Sequence, residues 1–200
     1  MKNQDYLYLD HAASTPMRKS AMDKYIEAES FGFANSSGGH KLSRNSKNLL
    51  EDSREVISEL FNSAPGEIIF TSGGTEADNW TIKSLFDSKI TNSNLVTSNI
   101  EHEAVLASAE WVSSNGFQTK YAKSDENGFV TKDEFINQID DETIVASLMW
   151  GNNETGVIQP IKDISKELKS TNSSTLFHSD VVQGIISVSY THLTLPTKPF

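Results

Sequence analysis

Apolar residues recur along the chain at two spacings, and the two alternate from about residue 45 onward. A spacing of three to four residues, which is typical of amphipathic helices, runs through residues 46–61, 102–114 and 161–169. Because strand and helix patterns alternate, the sequence predicts an α/β domain with a mostly parallel sheet. The strands are predicted in the short runs rich in β-branched residues, at 67–71, 95–97, 117–122, 143–149 and 175–177.

The first forty residues do not follow this alternation. Thr15 and Pro16 have the chemistry of a helix cap followed by proline at the first helical position, so we expect a helix from there to about Ser30. Residues 32–39, rich in glycine, serine and asparagine, predict a polar turn. We therefore expect residues 1–40 to form an arm that crosses to another domain or subunit.

The rest of the chain is expected to divide into a main domain over residues 41–184 and a tail over residues 185–200. The tail shows no helical period and no clean strand boundary, and two of its last five residues are proline. Two origins of the tail remain open. It is either foreign sequence read through beyond a truncated gene, or a genuine but divergent strand and loop.

Composition and charge restrict the class of protein. The 200 residues are 36% hydrophobic and 22% charged, as in a folded globular domain. The net charge of −10, without a long run of Lys or Arg, argues against a nucleic-acid partner. No apolar stretch is long enough to span a bilayer and no signal peptide is recognisable, so we expect no membrane association and a cytoplasmic location. The absence of cysteine excludes disulfides and thiolate metal sites, and we expect no metal site.

The segment most indicative of chemistry is the Ser-Gly-Gly-Thr turn at residues 72–75, between a predicted strand and a predicted helix. A helix beginning there presents free backbone N–H groups and the positive end of its dipole, next to Gly74 and Thr75. Such a turn suits a phosphate group. Tight packing between the strand and the helix explains the glycines equally well. Neither a Walker loop nor a dinucleotide-binding fingerprint is present.

Polar clusters follow three further predicted strands. They contain His102, Asn153, and the pair Asp180 and Gln183. Ligands of open parallel sheets bind outside the carboxyl ends of the strands, so we expect these clusters and the phosphate turn to share one cleft. Each cluster also has a simpler interpretation, with His102 at a helix start, Asn153 in a turn and Asp180 as a cap. Their repetition at equivalent places favours the shared cleft.

Six short motifs occur in order along residues 6–184: Tyr8–Pro16, Asn35–His40, Thr71–Asn79, Glu101–Val105, Asn152–Gly156 and His178–Gln183. Together they resemble the motifs of the cysteine desulfurases, pyridoxal-phosphate enzymes of the aminotransferase class V group. The third resembles the family's phosphate-binding Thr-Ser-Gly-x-Thr-Glu-x-Asn/Asp-Asn. The second departs from the family's Asn-Pro-Ser-Ser-x-His, because Ser36 stands in place of proline.

The resemblance implies a pyridoxal 5'-phosphate site. Gly74 and Thr75 would bind the cofactor phosphate at the start of the helix. His102 would stack on the pyridine ring and move a proton, which makes it the candidate catalytic residue. Asp180 would pair with the pyridine nitrogen and keep it protonated, so that the ring can withdraw electrons from the substrate.

The resemblance also assigns the remaining polar residues and the fold. Gln183 would bond the phenolic oxygen of the ring, and Asn153 would bond the same oxygen or orient the substrate. Asn35 and His40 would lie near the substrate end of the cleft. The implied fold is the large domain of a fold-type-I pyridoxal-phosphate transferase, truncated before its last strands and its small domain, and preceded by an arm.

Two groups that the family uses are not recognisable in the 200 residues. The family's Schiff-base lysine lies in a Ser-x-His-Lys segment, whereas Lys198 has no preceding histidine. The family's persulfide-forming cysteine has no counterpart, because the chain has no cysteine. Sulfur transfer needs a thiolate and covalent capture of the cofactor needs an amine, so we expect the chain to be inactive alone.

The resemblance implies that the full-length protein converts L-cysteine to L-alanine and passes the sulfur on as a persulfide, for iron–sulfur cluster or thio-cofactor synthesis. Its implied partners are a sulfur-acceptor or scaffold protein and a second copy in a homodimer. Two alternatives remain open. One is another class V enzyme, such as selenocysteine lyase or an aminotransferase. The other is a non-catalytic protein of the same fold that pairs with a complete enzyme.

Overall fold

The computed structural model of the chain describes residues 7–86, 92–171 and 174–185. Their contacts group them into two compact units, residues 7–70 and residues 71–185. The predicted arm at residues 1–40 and main domain at 41–184 stay predictions about domain organisation. Apart from residue 185, the predicted tail lies outside the described residues.

Residues 7–70 contain two helices, α1 (Lys19–Phe31) and α2 (Lys41–Phe61), and a 3₁₀ turn at Pro65–Glu67. The prediction that Thr15 and Pro16 open the first helix is wrong, since α1 begins at Lys19 after Arg18. Part of the reason lies just before it, where the Tyr8 hydroxyl donates to the carbonyl of Ser14 (2.9 Å) and holds this stretch in a loop. The helix predicted at 46–61 is confirmed, with an earlier start.

The strand predicted at residues 67–71 is wrong. Glu67 ends the 3₁₀ turn and Ile68 is extended, but residues 68–71 pair with no described strand. A strand needs a neighbour to take its backbone hydrogen bonds. Here the carbonyl of Ile68 instead accepts a hydrogen bond from the Arg54 side chain, whose guanidinium also lies over the Phe70 ring.

Residues 71–185 form an α/β unit around a parallel sheet, which confirms the predicted fold class. The four strands are ordered β2–β1–β3–β4, and every neighbouring pair is parallel. The predictions missed α5 but placed the other elements to within a few residues. In chain order the elements are α3 (Gly74–Lys83), β1 (Asn94–Ser98), α4 (Glu103–Ser114), β2 (Gln118–Ala122), α5 (Lys132–Ile136), β3 (Thr143–Ser147), α6 (Ile161–Ser170) and β4 (Leu176–His178).

Helices cover both faces of this sheet because successive strand residues point to opposite sides. Leu95 and Val145 pack with side chains of α3 and α4, whereas Val96 and Ala146 pack on the other face with side chains of α5 and α6. The two apolar clusters fix the register of the sheet. They thereby bring the carboxyl ends of β1, β3 and β4 to one edge.

None of the helices in the described part of the chain combines the length and the apolar content that crossing a membrane requires.

Candidate functional site

The turn at residues 72–75 begins α3 at Gly74, as the sequence predicts. The first backbone hydrogen bond of the helix runs from the Ala77 N–H to the Gly73 carbonyl (3.1 Å), so the N–H groups before it have no partner within the helix. A Cβ atom at Gly73 would meet nothing within 4 Å, so this turn borders open space. The geometry suits an anion such as phosphate.

The same turn carries a negative charge of its own. The Glu76 carboxylate accepts hydrogen bonds from the backbone N–H and the hydroxyl of Ser72, both at 2.6 Å. These bonds hold the pKa of Glu76 below its ordinary value. An anion at this turn therefore meets the positive helix end and, close by, one fixed carboxylate.

The turn after β4 lies against the start of α3. A Cβ atom added to Gly74 would lie 3.1 Å from Cγ2 of Val182, so glycine allows this close approach. Asp180 Oδ1 accepts from the Val182 N–H (2.9 Å), which confirms the simpler interpretation of Asp180 as a cap. Its other oxygen, Oδ2, accepts no hydrogen bond from the described residues and stays free to receive one. Gln183 follows in the same half-buried turn.

The turn after β3 is tied to the turn after β4. The Trp150 N–H donates to the carbonyl of Asp180 (2.9 Å), and a Cβ atom on Gly151 would lie 3.8 Å from Cβ of Gln183. Asn153 is half-buried in this stretch. The neighbouring Asn152, rather than Asn153, organises the turn, because its Oδ1 accepts from the N–H groups at positions 154 and 155.

His102 begins α4 after β1. Its Nδ1 accepts a hydrogen bond from the Ala104 N–H (3.1 Å), so the simpler interpretation of a helix-start residue also holds. An imidazole nitrogen that accepts carries no hydrogen, which leaves any proton of the neutral ring on Nε2. The side chain is exposed. His102 therefore both caps a helix and offers a proton at Nε2.

Buried polar side chains that the predictions did not identify lie between these turns. His178 joins Ser147 Oγ through Nδ1 (2.8 Å) and Asp78 Oδ1 through Nε2 (3.4 Å), which links β3 and β4 to α3. Glu101 is only 6% exposed, and its Oε1 accepts from the Ser98 hydroxyl (2.7 Å) and the Met149 N–H (3.0 Å). Burial raises the pKa of Glu101 to about 8. Glu101 opens the Glu101–Val105 motif, but a glutamate between a strand and a helix gives no periodic signal that its side chain is buried.

Asn35 and His40 lie in the other unit, residues 7–70. Asn35 Oδ1 accepts from the Ser37 N–H (2.9 Å), and His40 Nδ1 accepts from the Ser43 N–H (3.3 Å) at the start of α2. Both side chains are exposed and stabilise local turns. Their proximity to a substrate stays a prediction.

The residues of the 71–185 unit fit pyridoxal phosphate in three respects. Free N–H groups at the start of α3 suit its phosphate, and Asp180 Oδ2 suits a protonated ring nitrogen. Three buried oxygens of this unit, Thr97 Oγ1, Glu101 Oε2 and Ser179 Oγ, find no hydrogen-bond partner among the described residues. Glu101 and Ser179 are adjacent in sequence to His102 and Asp180. No group of three or more possible metal ligands occurs among the residues that the structure describes.

Comparison with known proteins gives a consistent result. The aminotransferase class-V family matches residues 7–191. A cysteine desulfurase IscS of Methanosarcina thermophila is 38% identical over 180 residues, which are 90% of this chain and 44% of that protein. The chain thus spans about half the length of the curated relatives that it matches.

Solved structures agree with these relatives. A NifS-like protein superposes with a TM-score of 0.88 at 31% identity, over 94% of this chain and 51% of that one. A protein described as SspA in complex with cysteine superposes with a TM-score of 0.82 at 32% identity, over 88% of this chain and 51% of that one. The predicted fold, a fold-type-I large domain, is confirmed.

Proposed function

Because the chain belongs to the aminotransferase class-V family, we propose that its residues 71–185 bind pyridoxal phosphate and serve a cysteine desulfurase. The family is pyridoxal-phosphate dependent. The observation that carries the proposal is the contact between Gly74 and Val182, because it joins the phosphate turn to the turn that bears Asp180. This contact supports the proposal that an anion site and a carboxylate for a ring nitrogen share one edge of the sheet.

The proposed roles are those that the resemblance to the family implies. The N–H groups of Gly74 and Thr75 would hold the phosphate, and Asp180 Oδ2 would accept the hydrogen of the pyridine nitrogen. His102 would offer a proton from Nε2 while Nδ1 remains bonded to the helix start. Gln183 would bind the phenolic oxygen of the ring, and Asn153 would bind the same oxygen or orient the substrate. Asn35 and His40 would lie near the substrate. When bound, the cofactor supplies the electron-withdrawing ring on which the reaction depends.

The proposed substrate is L-cysteine, which would yield L-alanine and a sulfur atom carried as a persulfide. Capturing that sulfur requires a thiol, and these 200 residues contain none. We therefore expect the chain alone to form neither sulfide nor alanine from L-cysteine. Because the family's Ser-x-His-Lys segment is not recognisable in these residues, we also expect no covalent capture of the cofactor. A cytoplasmic location, a homodimer and a sulfur-acceptor protein complete the proposal.

A chimaera tests this function. Residues 7–185 would replace the corresponding half of the Methanosarcina thermophila relative, and alanine formation would be measured with L-cysteine and with L-selenocysteine. We expect alanine from both substrates, and background levels in the Asp180→Ala chimaera. A chimaera that folds and binds the cofactor but releases alanine only from selenocysteine would favour selenocysteine lyase. Release from neither substrate would contradict the proposal.

A further inference from the structure

Glu101 connects two of the turns that make up the candidate site. Its Oε1 accepts from the Ser98 hydroxyl at the end of β1 and from the Met149 N–H after β3. A second connection runs beside it, where the Asn152 side-chain amide donates to the carbonyl of Ile100 (2.9 Å). The turn that carries His102 is thus joined to the turn that carries Asn153 by one carboxyl and one amide.

The environment of Glu101 is unusual for a carboxyl group. The residue is 6% exposed, and Oε2 has no hydrogen-bond partner among the described residues. Burial is the largest reason that its pKa rises to about 8, while the bonds from Ser98 and Met149 lower it and the nearby charges of Asp180 and Asp78 raise it further. The carboxyl is therefore mostly protonated at neutral pH.

We propose that Glu101 is a positioning residue of the candidate site, which fixes the turn bearing His102 against the turn bearing Asn153. This inference rests on the proposed function, because the groups that Glu101 would position are those proposed to bind the ring. Removing the side chain would leave the Met149 N–H and the Ser98 hydroxyl without their buried acceptor. Of the two side-chain connections described above, the bond from Asn152 to Ile100 would then remain.

A neutral Glu101 also leaves Asp180 as the carboxylate available to a ring nitrogen. Ionisation of Glu101 would add a third negative charge to those of Asp180 and Asp78, and Asp78 in turn contacts His178 Nε2 at 3.4 Å. Since Glu101 binds its proton more tightly in the folded chain, the free energy of unfolding should fall as the pH rises from about 4.5 to about 8. The Glu101→Gln variant should lose this slope.

Two substitutions test whether the hydrogen bonds of Glu101, and not only the volume of its side chain, hold the two turns together. Glu101→Gln keeps an oxygen acceptor of the same length and cannot ionise, whereas Glu101→Ala removes the acceptor. Glu110→Ala is the matched control, because Glu110 is an exposed glutamate on α4. If Glu101→Ala fails to fold, the wild-type chain and Glu101→Gln alone still decide the question through the amide signal of Met149.

The experiment follows the Met149 amide and the His102 ring protons by NMR in the full chain, without cofactor. In the wild type, we expect the Met149 amide signal to titrate with a midpoint near pH 8, and we expect no such titration in Glu101→Gln. In Glu101→Ala, Met149 amide exchange should accelerate by about tenfold or more and the His102 ring signals should shift, since a buried hydrogen bond is lost. Glu101→Gln and Glu110→Ala should keep the wild-type exchange rate.

The inference is overturned if the wild-type Met149 amide does not titrate, or if Glu101→Ala leaves both Met149 and His102 unchanged. A pyridoxal-phosphate titration then separates this inference from the proposed function. If Met149 and His102 respond as expected but no variant binds the cofactor, the proposed function fails and the positioning role stands. If the wild type and Glu101→Ala bind the cofactor equally well, the positioning role fails and the proposed function stands.

Discussion

In residues 71–185 the apolar side chains of the central strands β1 and β3 pack between two pairs of helices, whereas in residues 7–70 no apolar side chain of either helix is buried. Every fully buried apolar side chain of the described chain lies between Ile82 and Leu168. In residues 7–70 the buried side chains are three serines, and Tyr25, Ile26 and Val56 are each more than 60% exposed. One region contains its own core and the other does not.

The difference shows which part of the chain can be stable by itself. A sheet covered on both faces removes apolar surface from water within one stretch of sequence. Two helices with exposed apolar faces need another surface to cover them. We therefore expect residues 7–70 to acquire most of their stability from association, as in the proposed homodimer, and the chain alone to be marginally stable and prone to aggregate.

The largest expected effect comes from truncating one apolar side chain in each region. Phe135 of α5 is fully buried in the core that also contains the apolar side chains of α6. Phe135→Ala should lower the free energy of unfolding by about 3–5 kcal/mol. Val56 is 66% exposed, and Val56→Ala should change the free energy of unfolding by less than about 0.5 kcal/mol. Urea unfolding of both variants measures the contrast. Equal losses would show that residues 7–70 have a core of their own.

A second comparison adds a methyl group to one glycine in each region. A Cβ atom at Gly184 would lie 2.5 Å from the ring of the buried Trp150, so Gly184→Ala should destabilise the chain by about 1–3 kcal/mol. A Cβ atom at Gly66 would meet nothing within 4 Å, and Gly66→Ala should be nearly neutral. Thermal melts compare the two variants. If Gly184→Ala is harmless, Trp150 does not hold the turn of Asp180 in place.

Ion pairs in the two regions should differ less in their contribution to the free energy of unfolding. Asp140 binds Lys120 in the middle of β2, and Asn94 and Thr143 at the first residues of β1 and β3. These contacts hold the pKa of Asp140 well below its usual range. Because Asp140 is about half exposed and water screens the pair, Asp140→Asn should cost only about 1 kcal/mol. The exposed pair of Lys19 and Asp23 in α1 should contribute too little to measure.

The pH dependence of this contribution has a definite sign. A carboxyl with a lowered pKa in the folded chain stabilises it above the pKa of the unfolded chain, which is about 4 for aspartate. That stability is lost as the pH falls through the lower, folded value. Melts of the wild type and Asp140→Asn should therefore converge in acid, and the Asp23→Asn melt should follow the wild type throughout. A constant gap between wild type and Asp140→Asn at all pH values would rule out the pairing.

The smallest expected effect concerns the tail. The sequence predicts that residues 185–200 pack poorly, and residues 186–200 lie outside the described part of the chain. A chain ending at Gly184 should therefore show the same urea melt and the same limited-proteolysis pattern over residues 71–184 as the full chain. A cooperative melt that disappears on removal of the tail would show that the tail belongs to the native core.

Local pattern predicted the 71–185 region well and residues 7–70 less well, for a physical reason. Leu95 and Val96 form a continuous apolar run in the sequence, because their side chains pack into cores on opposite faces of the sheet and both cores lie within the same unit. Residues 67–71 have the same β-branched and apolar character, but no described strand pairs with them, so the pattern alone could not decide their structure.

The candidate site also has one part that the sequence predicts and another part that it does not. The Gly-Gly-Thr turn and the placement of His102 and Asp180 after strands follow from motif and topology. Glu101, Asp78 and His178 lie within three of the six motifs, but their contacts could not be predicted, because these contacts join turns that are distant in sequence. Asn152 was missed in favour of Asn153 because neighbouring asparagines cannot be ranked as turn formers without the fold.

The central claim is that the carboxyl edge of the sheet in residues 71–185 binds pyridoxal phosphate. An NMR titration of the labelled chain with pyridoxal phosphate tests it most directly, with pyridoxal lacking the phosphate as the matched probe. We predict saturable shifts at the amides of Gly74, Thr75 and Asp180, with those of Gly74 and Thr75 absent for pyridoxal. The amides of Asn94 and Thr143, at the opposite edge, should not move. Absence of saturable binding, or shifts centred on that opposite edge or on residues 7–70, would contradict the account.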